Sequence, residues 1–318
     1  MPHDSLATDF CGQRSCFPVM SFLHVPGKMS RPLWLMMGTA FLLRFPRKAP
    51  HPAAENIPIS GSDPLAGDAS CNVVGDSTVT RHFLLTAKHT FVPWMYVADP
   101  KRLKVPEEYR KIRFVVGRLY LPSAEGRALA SHAMELQLVA VHPTMDVALL
   151  SVKEPQKHIA EASVSSGGNG FDVFSEFKRR VESAEGGLDF AAENPKKGDK
   201  CLITGYRGVG KLGLLDTFDP DLLQQVSEVE RNELLEAMRH AEGKQESATT
   251  TVEVLDSTGM CRTVVGCCYH GMSGAPVLVK DNTCGGVLYG KHPDHHAGIG
   301  YVPVCGIIDW VLGAVLSK

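Results

Sequence analysis

The side chains best suited to covalent chemistry in this 318-residue chain sit in the stretch Tyr269-His270-Gly271-Met272-Ser273-Gly274-Ala275-Pro276-Val277. One serine stands there among glycines, and apolar strand material follows at once. The glycines allow unusual backbone angles and let main-chain N–H groups approach a ligand closely. The stretch is therefore either a tight turn between two strands or a nucleophile displayed beside amide donors. A hydroxyl near its free pKa is a weak nucleophile and needs an adjacent base, itself oriented by an acid. His89 closes the strand-like "HFLLTAKH" behind the small residues Thr86 and Ala87, where it is a cleft base or a core histidine. Asp146, in "VAVHPTMDVALLSV", opens an apolar strand as a turn residue or as a carboxylate that fixes a histidine tautomer. The order along the chain is His, Asp, Ser. The Gly-x-Ser-x-Gly hydrolases run Ser, acid, His; here only 45 residues follow the serine and Ala275 stands where the last glycine belongs.

Two other constellations suggest chemistry and fail on their details. "GYRGVGK" (205–211) fits the first seven positions of a phosphate-binding loop. The eighth should be a magnesium-binding Ser or Thr and is Leu212, and "LGLLDTFDP" reaches a proline instead of opening a helix. The stretch reads as a glycine-rich hairpin turn. His292, His295 and His296 lie in a loop bounded by Pro and Gly, without a partner Cys or carboxylate pair at a diagnostic spacing. No metal and no cofactor are expected. The nine cysteines are odd in number, irregularly spaced and contain no CxxC pair, which argues for thiols in a reducing compartment.

The elements that must position these residues are short strands. Eleven segments have strand character and turn-residue boundaries: 34–43, 82–89, 111–121, 134–142, 146–152, 199–206, 249–256, 261–269, 275–280, 285–290 and 298–304. With Gly and Pro between them, they predict an all-β sandwich or barrel architecture. Three stretches interrupt the pattern. Residues 44–80 read as a long loop. Residues 153–198 hold a helix around "DVFSEFKRRVESAE" and a polar link. Residues 219–242 make a strong helix pattern, with Asp219 as N-cap, Pro220 at the first position and Gly243 as the stop. "IIDWVLGAVL" closes the chain as a short helix.

In this order, "LLTAKH", "HPTMDVALLSV" and "GMSGAPV" resemble the signature blocks of trypsin-like serine peptidases, roughly T-A-x-H, D-I-A-L-L and G-x-S-G-x-P. "WLMMGTAFLL", "GGVLYGKH" and "IIDWV" resemble flanking elements of the same family. The resemblance covers about residues 33 to 312. It implies an all-β fold of two six-stranded antiparallel barrels, with helical and loop insertions and a short C-terminal helix. The implied division is a basic extension over 1–30, a first barrel over 31–155, a connection over 156–197 and a second barrel over 198–318.

The resemblance also implies roles. His89 would be base and then acid, Asp146 its orienting carboxylate and Ser273 the nucleophile. The N–H groups of Gly271 and Ser273 would form an oxyanion hole. Cys267, Leu288, Tyr289 and Gly290 would line the substrate pocket, which implies a small or medium apolar side chain at the cleaved residue. Three departures matter. The family's paired cysteines beside the histidine are replaced by Thr90 and Phe91. Met272 replaces the aspartate that pairs with a newly cut N-terminus. Leu288 replaces a serine that supports the catalytic acid. The first two are closer to the disulfide-poor HtrA/Deg-like or bacterial-type branch, and no PDZ domain is expected after the last helix.

Composition bounds the remaining possibilities. A net charge of −2 supplies no global field for nucleic acid or an acidic membrane. The longest apolar run, 32–43, is too short to span a bilayer. Residues 10–54 contain no Asp or Glu and carry six Arg and Lys, a bias shared by mitochondrial targeting regions and by basic, poorly ordered N-termini. An intracellular location is expected, with the mitochondrion favoured over the cytoplasm. The expected partner is a polypeptide substrate, with a protein partner held by insertions 44–80, 153–198 and 214–248 as a further expectation. The alternative function is a protease-fold binding or structural subunit whose site is covered or unused.

Overall fold

In the computed structural model the first strand is β1 (Cys16–Leu23), buried at all eight positions. Residues 14–30, 32–44, 82–95, 105–123, 125–153, 172–182, 187–208, 245–291 and 298–317 are described; of 129–131 and 291 only the backbone is. Strand β1 corrects the expected extension over 1–30. "CFPVMSFL" lacks the alternation of a half-exposed strand because every side chain in it faces protein. Removal of the first 30 residues would therefore take a strand out of the first barrel.

Five more strands complete that barrel: β2 (Leu33–Leu42), β3 (Phe83–Thr86), β4 (Val115–Pro122), β5 (Ala128–Val141) and β6 (Ala148–Val152). They close in the order β1-β2-β3-β6-β5-β4. The second barrel contains β7 (Lys200–Gly208), β8 (Gln245–Val254), β9 (Met260–Val265), β10 (Pro276–Leu278), β11 (Cys284–Lys291) and β12 (Ile299–Pro303). Its order, β7-β8-β9-β12-β11-β10, repeats that of the first. Every ladder between these twelve strands is antiparallel, and ring closure leaves neither barrel with an open edge strand. The fold class is the one expected. All eleven expected strands are present with shifted ends, and β1 is the twelfth.

Each barrel has its own core. Phe17, Val19, Leu84, Leu119, Leu136 and Leu150 fill the first. Ile203, Val252, Val277, Leu288 and Tyr301 belong to the second, together with Met272 and Ala275 from the serine turn. A third cluster joins the barrels: Phe41, Leu43, Val147 and Leu149 meet Val287, Val304, Ile307 and Val311. Helix α1 (Val173–Glu182), inside the expected helical stretch, buries Phe177 against Phe17 with ring centres 5.6 Å apart. Helix α2 (Ile308–Leu316) buries Val311 in the joint between barrels.

Most of the expected loop at 44–80 and the expected helix at 219–242 lie outside the described residues, as do His292, His295 and His296. Of "GYRGVGK", residues 205–208 belong to β7, and Gly205 pairs with Ala248 in the ladder with β8. That portion is sheet, not a loop leading into a helix. None of the seven described cysteines is in a disulfide. No helix among the described residues is long and apolar enough to cross a membrane. No group of three or more potential metal-ligating side chains occurs among them.

Candidate functional site

Strand β3 delivers His89. After Thr86 the chain leaves the sheet, and Lys88–Thr90 form a 3-10 turn with the histidine at its centre. Thr86 and Ala87 are small because the serine turn presses against them. A Cβ added to Gly274 would lie 2.3 Å from Thr86 Oγ1 and 2.8 Å from the Ala87 nitrogen.

Asp146 ends the turn between β5 and β6 and meets His89 twice. Its Oδ2 lies 2.6 Å from His89 Nδ1, and its Oδ1 accepts the His89 main-chain N–H at 2.9 Å. The carboxylate is 7% exposed, so the pair stands in a low-dielectric setting where charge-assisted bonds are strong. Holding both main chain and ring, Asp146 fixes the placement of the imidazole and favours a proton on Nδ1.

The turn carrying Asp146 is itself braced. His142 Nδ1 accepts the N–H groups of Thr144 at 3.3 Å and Met145 at 3.0 Å. Its ring packs edge-on to Trp310 of α2, with centres 5.1 Å apart. The His142 carbonyl accepts Lys88 Nζ at 2.8 Å. Burial holds the Lys88 pKa below its ordinary value, with Asp146 pulling the other way. Burial, and then Lys88, also lower that of His142, which keeps its Nδ1 an acceptor. Leu288 offers no hydroxyl to Asp146; its side chain is 1% exposed inside the second barrel's core. His142, Lys88 and Trp310 were missed as site residues in the sequence. "KH" and "HP" could have flagged buried polar groups, but the link to Trp310 spans more than 160 residues.

The turn Tyr269–Ala275 presents Ser273. Gly271 and Gly274 have φ of +98° and +89°, the left-handed region that side chains resist. Added Cβ atoms would lie 2.8 Å from the Tyr206 carbonyl at Gly271 and 2.2 Å from the Thr39 carbonyl at Gly274. Both glycines thus serve close backbone approach as well as the turn. The turn is closed by Met272 N–H to the Tyr269 carbonyl at 3.1 Å and Ala275 N–H to the Met272 carbonyl at 2.9 Å. Met272 is fully buried, an apolar anchor beneath the turn.

Main-chain orientation around the serine follows from its partners. The His270 carbonyl accepts Gly208 N–H at 3.1 Å. In a trans peptide the next N–H, that of Gly271, points the opposite way. Among the described residues neither the Gly271 nor the Ser273 N–H has an acceptor. Two donors on one turn without acceptors, flanking a serine, suit an oxyanion. The Ser273 hydroxyl makes one long contact, 3.5 Å to the Tyr289 carbonyl.

The expected pocket residues fall around this turn. Gly290, at φ +123°, is so placed that a Cβ on it would lie 4.0 Å from Ser273 Oγ. The Tyr289 ring covers Gly300 on β12, where an added Cβ would lie 2.0 Å from it. Cys267 is exposed, and Leu288 contributes main chain, its carbonyl accepting Gly274 N–H at 2.7 Å. His270 is a polar residue the sequence reading left unassigned. Its Nε2 is buried without a hydrogen-bond partner, and burial, then nearby His89, push its pKa down to about 4.

No protein-family model matches the chain, and no curated protein matches it. Among solved structures, the active form of the Rv3671c protease from M. tuberculosis aligns at 13% identity and a TM-score of 0.41, covering 94% of this chain and 79% of that one. The inactive form of the same protease gives 14% and 0.39, over 95% and 89%. Deg5 gives 11% and 0.41, over 93% and 87%. At these scores the alignments add nothing to the strand order and hydrogen bonds, on which the fold rests. The chain is thus a pair of closed six-stranded antiparallel barrels, with His89, Asp146 and the Ser273 turn gathered where the two barrels meet.

Proposed function

We propose that this chain is a serine endopeptidase that cleaves polypeptides through an acyl-enzyme. The observation that carries the reading is the His89–Asp146 pair, bonded at both ring and main chain, on the barrel wall that the Ser273 turn presses against. With its proton on Nδ1, His89 keeps a lone pair on Nε2 to accept the Ser273 proton as Oγ attacks the scissile carbonyl. The imidazolium formed lies against Asp146 and then returns the proton to the leaving amine. Water repeats the sequence on the acyl-enzyme. The N–H groups of Gly271 and Ser273 take the oxyanion, and the Gly208–His270 bond orients the first of them before substrate arrives.

The pocket reading rests on the residues that the family resemblance assigns to it. Cys267, Leu288, Tyr289 and Gly290 bring neither acid nor base, so a small or medium apolar side chain at the cleaved residue fits better than Lys or Arg. The test is labelling of the purified protein with a fluorophosphonate beside its Ser273→Ala variant, followed by a peptide panel. Labelling is expected in the parent and lost in the variant. A parent that never labels would favour the binding-subunit alternative, and strict cleavage after Lys or Arg would overturn the pocket assignment.

A further inference from the structure

We propose that Thr39 of the first barrel is a positioning residue that sets the oxyanion-binding backbone of the second, an inference that rests on the serine-peptidase reading. Thr39 lies on β2, is fully buried, and makes four hydrogen bonds. Its N–H donates to the Ser273 carbonyl at 2.8 Å. Its hydroxyl donates to the Gly271 carbonyl at 3.0 Å and accepts the Tyr206 N–H at 2.9 Å. Its carbonyl accepts the Thr86 hydroxyl at 2.7 Å, three residues before His89.

The direction of the hydroxyl is settled by its neighbours. Tyr206 offers an N–H and occupies a lone pair, so the one hydroxyl hydrogen is left for Gly271. One side chain therefore grips the carbonyl after Gly271, while the carbonyl before it, on His270, is held by Gly208. Both peptide planes around a glycine at φ +98° are tied. Glycine is the residue most able to rotate between alternative planes, and its N–H is one of the two oxyanion donors. Room for the hydroxyl is made by Gly205, whose added Cβ would lie 2.8 Å from Thr39 Oγ1. Gly38, with its added Cβ 3.0 Å from the Ser273 carbonyl, lets the two strands close. Without the hydroxyl the Gly271 carbonyl is left without its donor in a dry interface, and the plane after Gly271 is then free to turn. Through rotation about the glycine's φ and ψ the preceding plane, which carries the Gly271 N–H, is held at one carbonyl alone and can swing that N–H off the oxyanion.

The test compares Thr39→Val, which keeps shape and main-chain bonds, with Thr39→Ser, which keeps the hydroxyl. On a peptide substrate of the parent, Thr39→Val is expected to lose about 30- to 100-fold in kcat with KM within about threefold, and Thr39→Ser to stay within about threefold of the parent. Hydrogen exchange over 269–276 should quicken in Thr39→Val alone. Equal losses in both variants would make Thr39 a packing residue, and unchanged kcat and exchange in Thr39→Val would likewise overturn the proposal. If the parent itself cleaves nothing, the peptidase reading fails, and exchange alone decides the positioning role: quickened in Thr39→Val only, it stands; otherwise it falls.

Discussion

Substituting Gly274 by alanine adds one carbon at the tightest point between the barrels. That carbon would stand 2.2 Å from the Thr39 carbonyl oxygen, 2.3 Å from Thr86 Oγ1 and 2.8 Å from the Ala87 nitrogen. Contacts under 3.0 Å are not sustained, so the nearest neighbour must retreat by about 0.8 Å. Two of the three obstacles are main chain, in β2 and in the approach to His89, and cannot rotate aside. The serine turn must therefore move away from the histidine wall, or the turn must deform at φ +89°. Overpacking costs about 1–3 kcal/mol and a strained backbone conformation about 1–3 more. A destabilisation of about 2–5 kcal/mol is expected in denaturant titration. A reacting-group displacement of about 1 Å costs about 100-fold, so kcat/KM should fall at least that far in the molecules that remain folded. Fluorophosphonate titration counts competent sites and separates the two effects. Parental stability and turnover in Gly274→Ala would refute the close approach on which the site depends.

Asp146→Asn faces a conflict set by geometry. If the amide oxygen accepts the His89 main-chain N–H, its NH₂ meets Nδ1 and forces the proton onto Nε2; kcat should fall about 10⁴-fold with little change in melting temperature. Near-parental turnover would mean that another group orients His89. Replacing His142 with Leu removes the acceptor for two N–H groups of a part-buried turn and should cost about 1 kcal/mol in unfolding free energy, with a loss of kcat as the Asp146 turn loosens. A stability loss with unchanged kcat would confine His142 to packing. His270 has a folded pKa of about 4 against 6.5 ordinarily, so between those values the unfolded chain binds the extra proton and stability falls as pH drops. Its share approaches about 3 kcal/mol below pH 4, and His142, shifted the same way, adds to the slope. Unfolding titrations at pH 4.5 and 7 should show a smaller difference in His270→Gln; an equal difference would remove His270 as a source.

The legible parts of this molecule were those in which one short segment carries its own signal. The alternation and boundaries of eleven strands, and the glycines around Ser273, are local properties of the chain. The serine stretch was ambiguous only while its neighbours were unknown, since a tight turn and a displayed hydroxyl use the same residues. In the structure the segment is a turn, and its two glycines permit the approach of Tyr206 and Thr39. Strand β1 escaped notice for the opposite reason. A strand enclosed on every side has no solvent face, and without alternation "CFPVMSFL" looks like any apolar run. Its partners, β2 and β4, give it away only in three dimensions.

Support of the acid was the least legible feature, and it shows how the two barrels depend on each other. Leu288 is turned into the second barrel's core and brings no hydroxyl to Asp146. The bracing comes instead from the C-terminal segment of the same barrel, where Trp310 on α2 backs His142 and the Met145 side chain packs within 3.1 Å of the Cβ position at Gly306. Thr39 does the reverse, reaching from the first barrel to hold the carbonyls on both sides of the Ser273 turn. Each barrel thus carries part of the site and lacks the means to hold it alone. Loosening the joint at Phe41, Leu149, Val304 or Ile307 should therefore misplace His89 and Ser273 relative to one another before either barrel unfolds. An Ile307→Ala variant that loses kcat at a temperature where both barrels keep native hydrogen exchange would show that ordering; one that retains kcat until global unfolding would show that the barrels hold their halves independently.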